Sequence, residues 1–449
     1  MTARQMKLGT FLTTGGEHSG AWLHKDTPSQ SRVSFPPYLE IAKVAEAALF
    51  DLILVGDVVP AFDTPVEILK HNAGSERLDP FMLVAALAVT TRHIGIVPTG
   101  SASFEQPFHI ARRIASLDHL SEGRAGWNCV TTANTSMAWN FNLDSHLPPE
   151  QRYARAEEFV DVVTGLWDSW DDDAFVRDKA STVYFRPEGL HVLNHRGTHF
   201  RVRGPLDQIR SPQGRPVVVQ AGSSEPGRAL GARTADVVFT THQTLEAAQA
   251  FYRDIKERAA RFGRDPGQVQ ILTALMPVIG ASRAEAHAKL DELDDLTPLP
   301  VAIARLSAIL GDIDLSSYAP DEPLPEELPS GQGILSRRQS VLDRARREGL
   351  TLAQLARKIS GTRGHWTVTG TASDVADAMQ SWFDGHGTDG FLLVPPRTPS
   401  SLEEFRTGVV PELQRRGLFR TTYEGKTLRE HLGLRRPARG EMSGAALKR

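Results

Sequence analysis

The stretch GRAGWNCVTTAN, residues 123–134, sets a short apolar run, AGWNCV, directly against the polar cluster TTAN. The apolar run has the length and composition of a buried β-strand. Asn128 lies inside it, and Cys129, the only cysteine of the chain, comes next. Side chains alternate between the two faces of a strand, so Cys129 is expected to pack on the face opposite Asn128. The stretch therefore predicts a buried strand with an amide on one face and polar groups at its carboxyl end.

Seven further apolar runs of this kind are spread along the chain, and segments with helical spacing separate most of them. Continuous apolar runs are typical of parallel strands buried on both faces. Eight such strands favour an α/β fold, a (β/α)8 TIM barrel with insertions, and a doubly wound open sheet is the structural alternative. The predicted strands are residues 6–12, 51–57, 93–100, 125–130, 215–222, 235–240, 269–280 and 388–396.

Two stretches are too long to be ordinary connections, at about 135–214 and 281–365. We expect one barrel domain over residues 1–420 that carries both as insertions, followed by a C-terminal arm and basic tail over 421–449. Long insertions in a compact barrel are typical of lids and binding elements, and 281–365 is the candidate lid. The basic end of the chain, residues 435–449, is expected to be solvated and frayed.

Composition excludes several classes of function. The chain has 449 residues with 51 Lys and Arg against 54 Asp and Glu, a net charge of -3 that argues against nucleic-acid binding. A single cysteine fits a reducing compartment. No apolar run approaches the roughly 20 residues of a membrane-spanning helix, and the N-terminus lacks the apolar core of a signal peptide. We expect a cytoplasmic protein with no membrane partner.

Polar residues cluster where the predicted strands end. In a barrel these ends meet at one rim, where chemistry is carried out, so the clusters predict a pocket mouth. The segment QAGSSEPGR, residues 220–228, follows a strand and opens a helix, which suits a phosphate, although an ordinary capped turn is the alternative. The clusters are Gly56-Asp57, Thr99 to Ser101, Asn128 with Thr131-Thr132, Ser223-Ser224, and Thr240 to His242.

A metal site is not predicted. His191, His195 and His199 are spaced by four, but Gly197 and β-branched neighbours favour strands and a turn, on which this spacing does not converge. The acidic run 171–173 is interpreted as a solvated helix exit.

The opening stretch also resembles the GRxxWNxVTS segment of the flavin-dependent monooxygenases of the bacterial luciferase superfamily. Within it, the chain is most similar to the nitrilotriacetate monooxygenase, dibenzothiophene-sulfone monooxygenase and pristinamycin synthase family. Several blocks in the same order make the resemblance specific over nearly the whole chain. They are GAW (20–22), FDLILVGD (50–57), ARRIASLDHLSEGRAGWN (111–128), RYARAEEFVDVVTGLWDSW (152–170), GPLDQIRSPQGRPVVVQAGSSEPGR (204–228) and RRGLFRTTYEGKTLREHLGL (415–434).

The resemblance implies an FMN site at the barrel mouth. It implies that a separate NAD(P)H:flavin reductase supplies reduced FMN (FMNH2), and that O2 is the co-substrate used to oxygenate a small organic molecule of xenobiotic, sulfone or amine type. A homodimer or homotetramer is expected. Two alternatives stay open: an oxidoreductase dependent on the deazaflavin F420, and a flavin-binding protein without catalysis.

Residue roles follow from the resemblance in the same way. The ring of FMN is expected beside Asp57, Thr99 and Ser101, and Asn128 is expected at its pyrimidine edge. The phosphate is expected at Tyr153, Ser223 and Ser224. His18 and His24 are the candidate catalytic donors to the substrate.

Three positions depart from the family pattern. Pro149 replaces a histidine that reaches the phosphate in relatives, which predicts weaker flavin retention. Glu105 replaces an aromatic residue and Leu23 replaces an arginine, both at the expected substrate pocket.

Overall fold

The computed structural model describes residues 4–29, 32–57, 66–71, 73–132, 135–325, 327–329, 335–362 and 364–441. The strands are β1 (Lys7–Phe11), β2 (Leu52–Val55), β3 (Gly95–Ser101), β4 (Gly126–Val130), β5 (His195–Arg196), β6 (Arg201–Val202), β7 (Val217–Gln220), β8 (Val237–Thr240), β9 (Gln270–Ile279), β10 (Trp366–Gly370) and β11 (Gly390–Leu393).

The longer helices of the barrel region are α1 (Phe35–Ala47), α3 (Pro80–Ala88), α4 (Pro107–Leu120), α5 (Pro149–Trp167), α6 (Glu225–Thr234), α7 (Leu245–Arg261) and α12 (Ala372–Asp384). The 281–365 insertion carries α8 (Arg283–Leu296), α9 (Leu299–Leu310), α10 (Leu335–Glu348) and α11 (Leu352–Thr362). Short helices are α2 (Val66–Leu69), α13 (Ser400–Glu404), α14 (Val410–Arg415) and α15 (Leu428–His431), with 3-10 turns at Ala21–Leu23, Ala73–Ser75, Thr135–Phe141, Pro187–Gly189 and Pro266–Gln268 and a π turn at Phe405–Val409.

Eight parallel strands close into a barrel in the order β1, β2, β3, β4, β7, β8, β9, β11, and β11 pairs with β1. The predicted (β/α)8 barrel is therefore confirmed, and each of its eight strands lies within one of the predicted runs to within a residue or two. The amino-terminal half of β9 pairs with β8 and β11, and its carboxyl half pairs with β10. The sequence missed β10, whose side chains are mostly half-buried and so leave a weak apolar signal.

Local sequence explains why the helices begin where they do. Proline is the first residue of α3, α4 and α5, where its missing N–H leaves no donor unpaired. Asp79 caps α3 by accepting from the N–H groups of Phe81 and Met82. Thr371 and Asp374 form a capping box on α12. These starts place each helix behind its strand and leave the strand ends open at the barrel mouth.

The amino-terminal end of the barrel is closed by the C-terminal arm. Leu428 of α15 fits against Gly95 and Gly126, where the absence of side chains leaves room for it. It joins the buried lumen cluster that contains Leu52, Val97 and Val217. Because this end is filled with apolar side chains, a ligand site has to lie at the opposite, carboxyl end of the strands. The proposed division into barrel, insertions and arm stays a prediction.

The basic tail is not frayed over residues 435–441. Arg436 and the buried Arg210 both donate to Asp172, and the backbone N–H of Gly440 donates to Asp168 at 2.8 Å. Arg439 forms an ion pair with Asp171. The acidic run at the exit of α5 therefore anchors the tail, and Asp172 and Asp173 are also exposed, as expected of a solvated exit. Residues 442–449 lie outside the described part of the chain.

The histidines of the first insertion have structural partners. His195 Nε2 lies 2.9 Å from Glu158 Oε1, and His191 Nε2 lies 3.1 Å from Asp171 Oδ1. In the ranges described above, no group of three His, Cys, Asp or Glu side chains could hold a metal ion. Across those ranges, the helices are too short or too polar for any of them to traverse a bilayer.

Candidate active site

The carboxyl end of the barrel has an apolar side and a polar side. On the side of β1, β8, β9 and β11, the lumen is lined by a cluster in which the rings of Phe11 and Phe239 meet edge to face at 5.5 Å. On the side of β3 and β4, hydroxyl and amide groups replace these side chains. A planar ligand that is apolar on its face and polar along one edge would fit such a floor. The apolar cluster is Phe11, Phe239, Ala274, Met276 and Val394.

Asn128 holds the central polar position, and its side chain is fixed by a chain of hydrogen bonds. Its Nδ2 donates to Thr99 Oγ1 at 2.8 Å, and Thr99 Oγ1 donates to the carbonyl oxygen of Val55 at 2.8 Å. These two hydrogen bonds fix the orientation of the Asn128 amide. Thr99 Oγ1 donates its proton to Val55 and so has to accept from Nδ2. Asn128 Oδ1 is buried and has no hydrogen-bond partner. An acceptor left bare in this way costs about 1–3 kcal/mol, so the site favours a ligand that brings a donor.

Neighbouring residues of β4 face outward, as the alternation predicts. Trp127 and Cys129 pack in the cluster beneath α4 and α5. Burial raises the pKa of the Cys129 thiol, so it stays protonated and takes no part in chemistry.

Ser101 and Thr132 form the rim of the mouth beyond Asn128. Their hydroxyl oxygens lie 2.7 Å apart. Thr132 has a φ of 43°, in the left-handed region that a threonine rarely adopts. His146 Nε2 lies 2.8 Å from the carbonyl oxygen of Thr132, and Arg152 donates to the same oxygen. Burial lowers the pKa of His146, so a neutral ring donates here. No sequence pattern points to His146, since its partner is a backbone atom.

The predicted phosphate segment forms a cradle at the start of α6. Ser224 is the N-cap of α6, and its Oγ donates to the Tyr153 hydroxyl at 3.0 Å. Gly222 and Gly227 approach so closely that a Cβ on Gly227 would lie 2.9 Å from Gly222 Cα and 2.9 Å from the Tyr153 oxygen. Such close backbone approach at the start of a helix is typical of phosphate sites, although here the Gly227 N–H already donates to Ser224 Oγ. Ser223 is exposed next to Ser224 at the same turn.

A carboxylate in the first turn of α6 would oppose an anion, but Glu225 is neutralised. Arg258 donates to both of its carboxylate oxygens, at 2.7 and 2.9 Å, and Arg228 donates at 2.9 Å. The hydrogen bond from Arg258 lowers the pKa of Glu225. The positive end of the helix therefore stays available to a phosphate.

The amide and the cradle lie on neighbouring strands. Asn128 is directly opposite Val219 in the ladder of β4 and β7, and Gly222 follows three residues after Val219. Asp57 follows the end of β2, half-buried, and residues 58–65 after it lie outside the described part. The structure thus brings Thr99, Ser101, Asn128, Tyr153, Ser223 and Ser224 to one arc of the mouth, from β3 to α6.

The two predicted histidine donors do not fit that role. His18 is buried, its Nδ1 accepts from the N–H of Gly20 at 3.1 Å, and its Nε2 lies 3.1 Å from Asp294 Oδ1. His24 Nδ1 accepts from Arg397 at 2.7 Å, and its Nε2 lies 3.4 Å from Glu292 Oε1. With both nitrogens of each ring engaged by protein groups, neither ring presents a free donor to a substrate.

The three departures from the family pattern are placed as follows. Pro149 is the exposed first residue of α5, one turn before Tyr153. Glu105 accepts from Arg113 of α4 at 3.2 Å and so is held away from the lumen. Leu23 is 37% exposed in the 3-10 turn after β1.

A cavity of about 380 Å³ lies beside the mouth, between the segment that follows β1 and the start of α1. Its volume falls within the range of small-molecule sites. Thr14 lines it with a buried hydroxyl. The indole of Trp22 and the side chain of Ile41 supply apolar wall, and Arg32 supplies a cation. Thr14, Gly15, Trp22, Thr27, Pro28, Ser29, Arg32, Pro37, Glu40, Ile41, Ala73, Ser75, Glu76, Thr398 and Pro399 line the cavity.

Comparison with known proteins finds relatives over nearly the whole chain. Residues 6–389 match the family model described as luciferase-like monooxygenase. The chain is 46% identical to N-acetyl-S-(2-succino)cysteine monooxygenase of Bacillus subtilis (strain 168), over 97% of this chain and 98% of the relative. It is 44% identical to nitrilotriacetate monooxygenase component A of Aminobacter aminovorans, over 97% of both chains. A crystal structure of riboflavin lyase with modified FMN and the substrate riboflavin superposes with a TM-score of 0.82 at 33% identity, covering 98% of both chains.

Proposed function

Because the chain belongs to the luciferase-like monooxygenase family and is a flavin-dependent monooxygenase, we propose that it is the oxygenase component of a two-component system. In this proposal it takes FMNH2 from a separate NAD(P)H:flavin reductase and uses O2 to oxygenate a small organic molecule. One relative is named as component A of its enzyme, which supports a second component. A homodimer or homotetramer in the cytoplasm is part of the same proposal.

The proposal rests on one observation. Asn128 Oδ1 is a buried acceptor without a hydrogen-bond partner, and the strand next to it leads to the close contact of Gly222 and Gly227. The acceptor needs a donor, and the N3–H of a flavin ring is one. The close contact of Gly222 and Gly227 brings the turn before α6 next to Tyr153, and the start of α6 favours a phosphate there. Since both features lie on the neighbouring strands β4 and β7, one molecule with a polar ring edge and a phosphate can satisfy them together. FMN has both groups.

The residues of this chain would bind, orient and shield. Reduced FMN supplies two electrons to O2, one oxygen atom enters the substrate and the other leaves as water. Asn128, held by Thr99, fixes the ring edge, and Tyr153 with Ser224 holds the phosphate end. The apolar cluster around Phe11 and Phe239 keeps water from the ring face.

We place the organic substrate in the cavity beside the mouth. Trp22 and Ile41 offer apolar surface, and Thr14 offers a buried hydroxyl. The cavity opens between the ends of β1 and β11, which is the side of the mouth opposite the cradle on α6. A substrate there would reach the ring without displacing the phosphate.

Reconstitution tests this function. The purified chain is mixed with an NADH:FMN reductase, NADH, FMN and O2, and NADH loss, O2 uptake and hydrogen peroxide are followed while candidate thioethers, sulfones and aminopolycarboxylates are screened. We expect one compound to lower peroxide per NADH and to gain one oxygen atom from 18O2. FMN binding without any turnover, or reduction of F420 in its place, would contradict the proposal.

A further inference from the structure

We propose that His18 is a positioning residue that locks the 281–365 insertion onto the segment after β1 and so holds the insertion over the barrel mouth. This inference deepens the proposed function, on which its catalytic consequence rests. The lock itself is a matter of packing and hydrogen bonds and does not depend on flavin.

The protonation of the His18 ring follows from its neighbours. The N–H of Gly20 can only donate, so His18 Nδ1, 3.1 Å away, has to be the unprotonated acceptor. The ring proton is therefore on Nε2, which donates to Asp294 Oδ1 of α8 at 3.1 Å. The side chain of His18 is fully buried. A buried donor with a carboxylate partner is costly to separate, so the pair resists opening.

A second helix of the insertion closes over the same ring. A Cβ at Gly361 of α11 would collide with His18 Nε2 and would lie 2.7 Å from Asp294 Oδ1. Only glycine lets α11 approach this closely. Ser19 adds to the contact, since its Oγ donates to the carbonyl oxygen of Ser360 at 2.7 Å and accepts from Arg305 of α9. Three helices of the insertion thus meet at two consecutive residues of the barrel.

The same segment forms the wall of the mouth. The N–H groups of Glu17 and His18 donate to the carbonyl oxygens of Pro395 and Pro396, directly after β11. Thr14 and Trp22, on either side of His18 in the chain, line the 380 Å³ cavity. A shift of His18 would therefore move a wall of the proposed substrate site.

Other contacts show that the insertion crosses the mouth. Helix α9 lies against α2, which follows β2. At the far end of the insertion, His365 Nδ1 lies 2.9 Å from Thr241 Oγ1, and Gln243 donates to the carbonyl oxygen of Gly364 at 2.6 Å, both just after β8. The insertion is thus attached to the strand ends of β1, β2 and β8, and His18 is the most buried of these attachments.

Hydrogen–deuterium exchange on the full chain tests the lock. His18→Asn keeps an acceptor for Gly20 but no longer reaches Asp294, and Asp294→Asn removes the charge. Gly361→Ala keeps the side chains of His18 and Asp294 and pushes α11 away from His18. It therefore tests the lock even if a His18 variant does not fold. We expect amides of α8 and α11 to exchange about tenfold faster in each variant while those of β2 to β4 are unchanged.

The matched control is His195→Gln, which breaks a histidine–carboxylate pair of similar length, 2.9 Å to Glu158, in the other insertion. It should leave α8 and α11 at wild-type exchange. Wild-type exchange of α8 and α11 in Gly361→Ala and in either other variant would overturn the lock. A uniform rise over the whole barrel would also overturn it, because it would mean a general loss of stability.

Release of FMN, followed by the recovery of its fluorescence on dilution, tests the consequence for the mouth. We expect the release rate to rise at least fivefold in His18→Asn and Gly361→Ala, with the association rate unchanged, and to stay at the wild-type value in His195→Gln. Faster amide exchange in α8 and α11 with an unchanged rate of FMN release would refute the claim that the insertion closes over the mouth. If the wild type binds no FMN, the proposed function fails, while the exchange experiment still decides the lock.

Discussion

Replacement of Asn128 by leucine should weaken FMN binding, whereas the free energy of unfolding of the ligand-free protein should stay level or rise. Leucine has nearly the shape of asparagine, so the packing beside Trp127 and Val219 is kept. In the ligand-free protein the change removes Oδ1, a buried acceptor without a partner. The free energy of unfolding should therefore stay level or rise by about 1 kcal/mol. In the FMN complex the change leaves the N3–H of the ring without an acceptor.

The expected loss of FMN affinity follows from that unpaired donor. A buried donor left without a partner costs about 1–3 kcal/mol, which corresponds to a dissociation constant roughly 5- to 150-fold higher. Quenching of FMN fluorescence in a titration measures the affinity, and denaturation in urea measures the stability of the ligand-free chain. Affinity and stability should be measured on the same preparation.

The control is Thr99→Val, which leaves Oδ1 in place but removes the group that orients the amide. Asn128 Nδ2 then loses its acceptor. This variant should lose FMN affinity and also about 1–3 kcal/mol of stability. Unchanged FMN affinity in Asn128→Leu would refute the assignment of Oδ1 to the ring edge. A larger loss of ligand-free stability in Asn128→Leu than in Thr99→Val, which removes the same Nδ2–Thr99 bond but keeps Oδ1, would show that Oδ1 has a partner within the protein.

Three further predictions concern the phosphate end and the tail. Pro149→His should lower the dissociation constant of FMN about tenfold by adding one charge-assisted bond; a titration giving equal affinities would count against a missing contact. Gly227→Ala, whose Cβ would press on the Tyr153 oxygen, should weaken FMN about tenfold and riboflavin, which has no phosphate, hardly at all; equal losses for both would contradict the cradle. The hydrogen bond from Arg436 lowers the pKa of Asp172, which is about half exposed, so its pairing stabilises the fold above the ordinary Asp pKa of about 4 and is lost as the pH falls through the lowered value. Asp172→Asn should therefore cost under about 1 kcal/mol at pH 7, and the cost should shrink as the pH falls below about 4 in thermal melts; a pH-independent difference would contradict the pairing.

The sequence predicted the framework of the site well, and it did so from local pattern. Asn128 drew attention because an amide interrupts an apolar strand, and Ser224 because it follows a strand and opens a helix. Both signals are contained within about ten neighbouring residues. The resemblance to the family then assigned a flavin to them. The structure adds the bare Oδ1 atom and the glycine contact, which no pattern of residue types specifies.

The surroundings of the candidate histidines could not be predicted, for a related reason. The sequence predicts His18 as a donor near the mouth from its residue type alone, because a sequence does not reveal which groups surround the ring. Its partner Asp294 is 276 residues away. The acidic run after α5 is exposed, as its composition predicts, but the sequence does not reveal that Arg436, 264 residues later, pairs with Asp172. Pairings over such distances depend on the closed barrel.

The sequence by itself therefore determined the eight-stranded barrel, the family and the arc of polar residues from Thr99 to Ser224, since strand periodicity and ordered motifs are local properties of the chain. The tertiary structure decided which polar atoms are already satisfied and which remain open to a ligand. In the folded protein both ring nitrogens of His18 have hydrogen-bond partners, whereas Asn128 Oδ1 has none. The physical reason is that hydrogen-bond satisfaction depends on distances of a few ångströms between segments far apart in the chain, and only the folded barrel sets them.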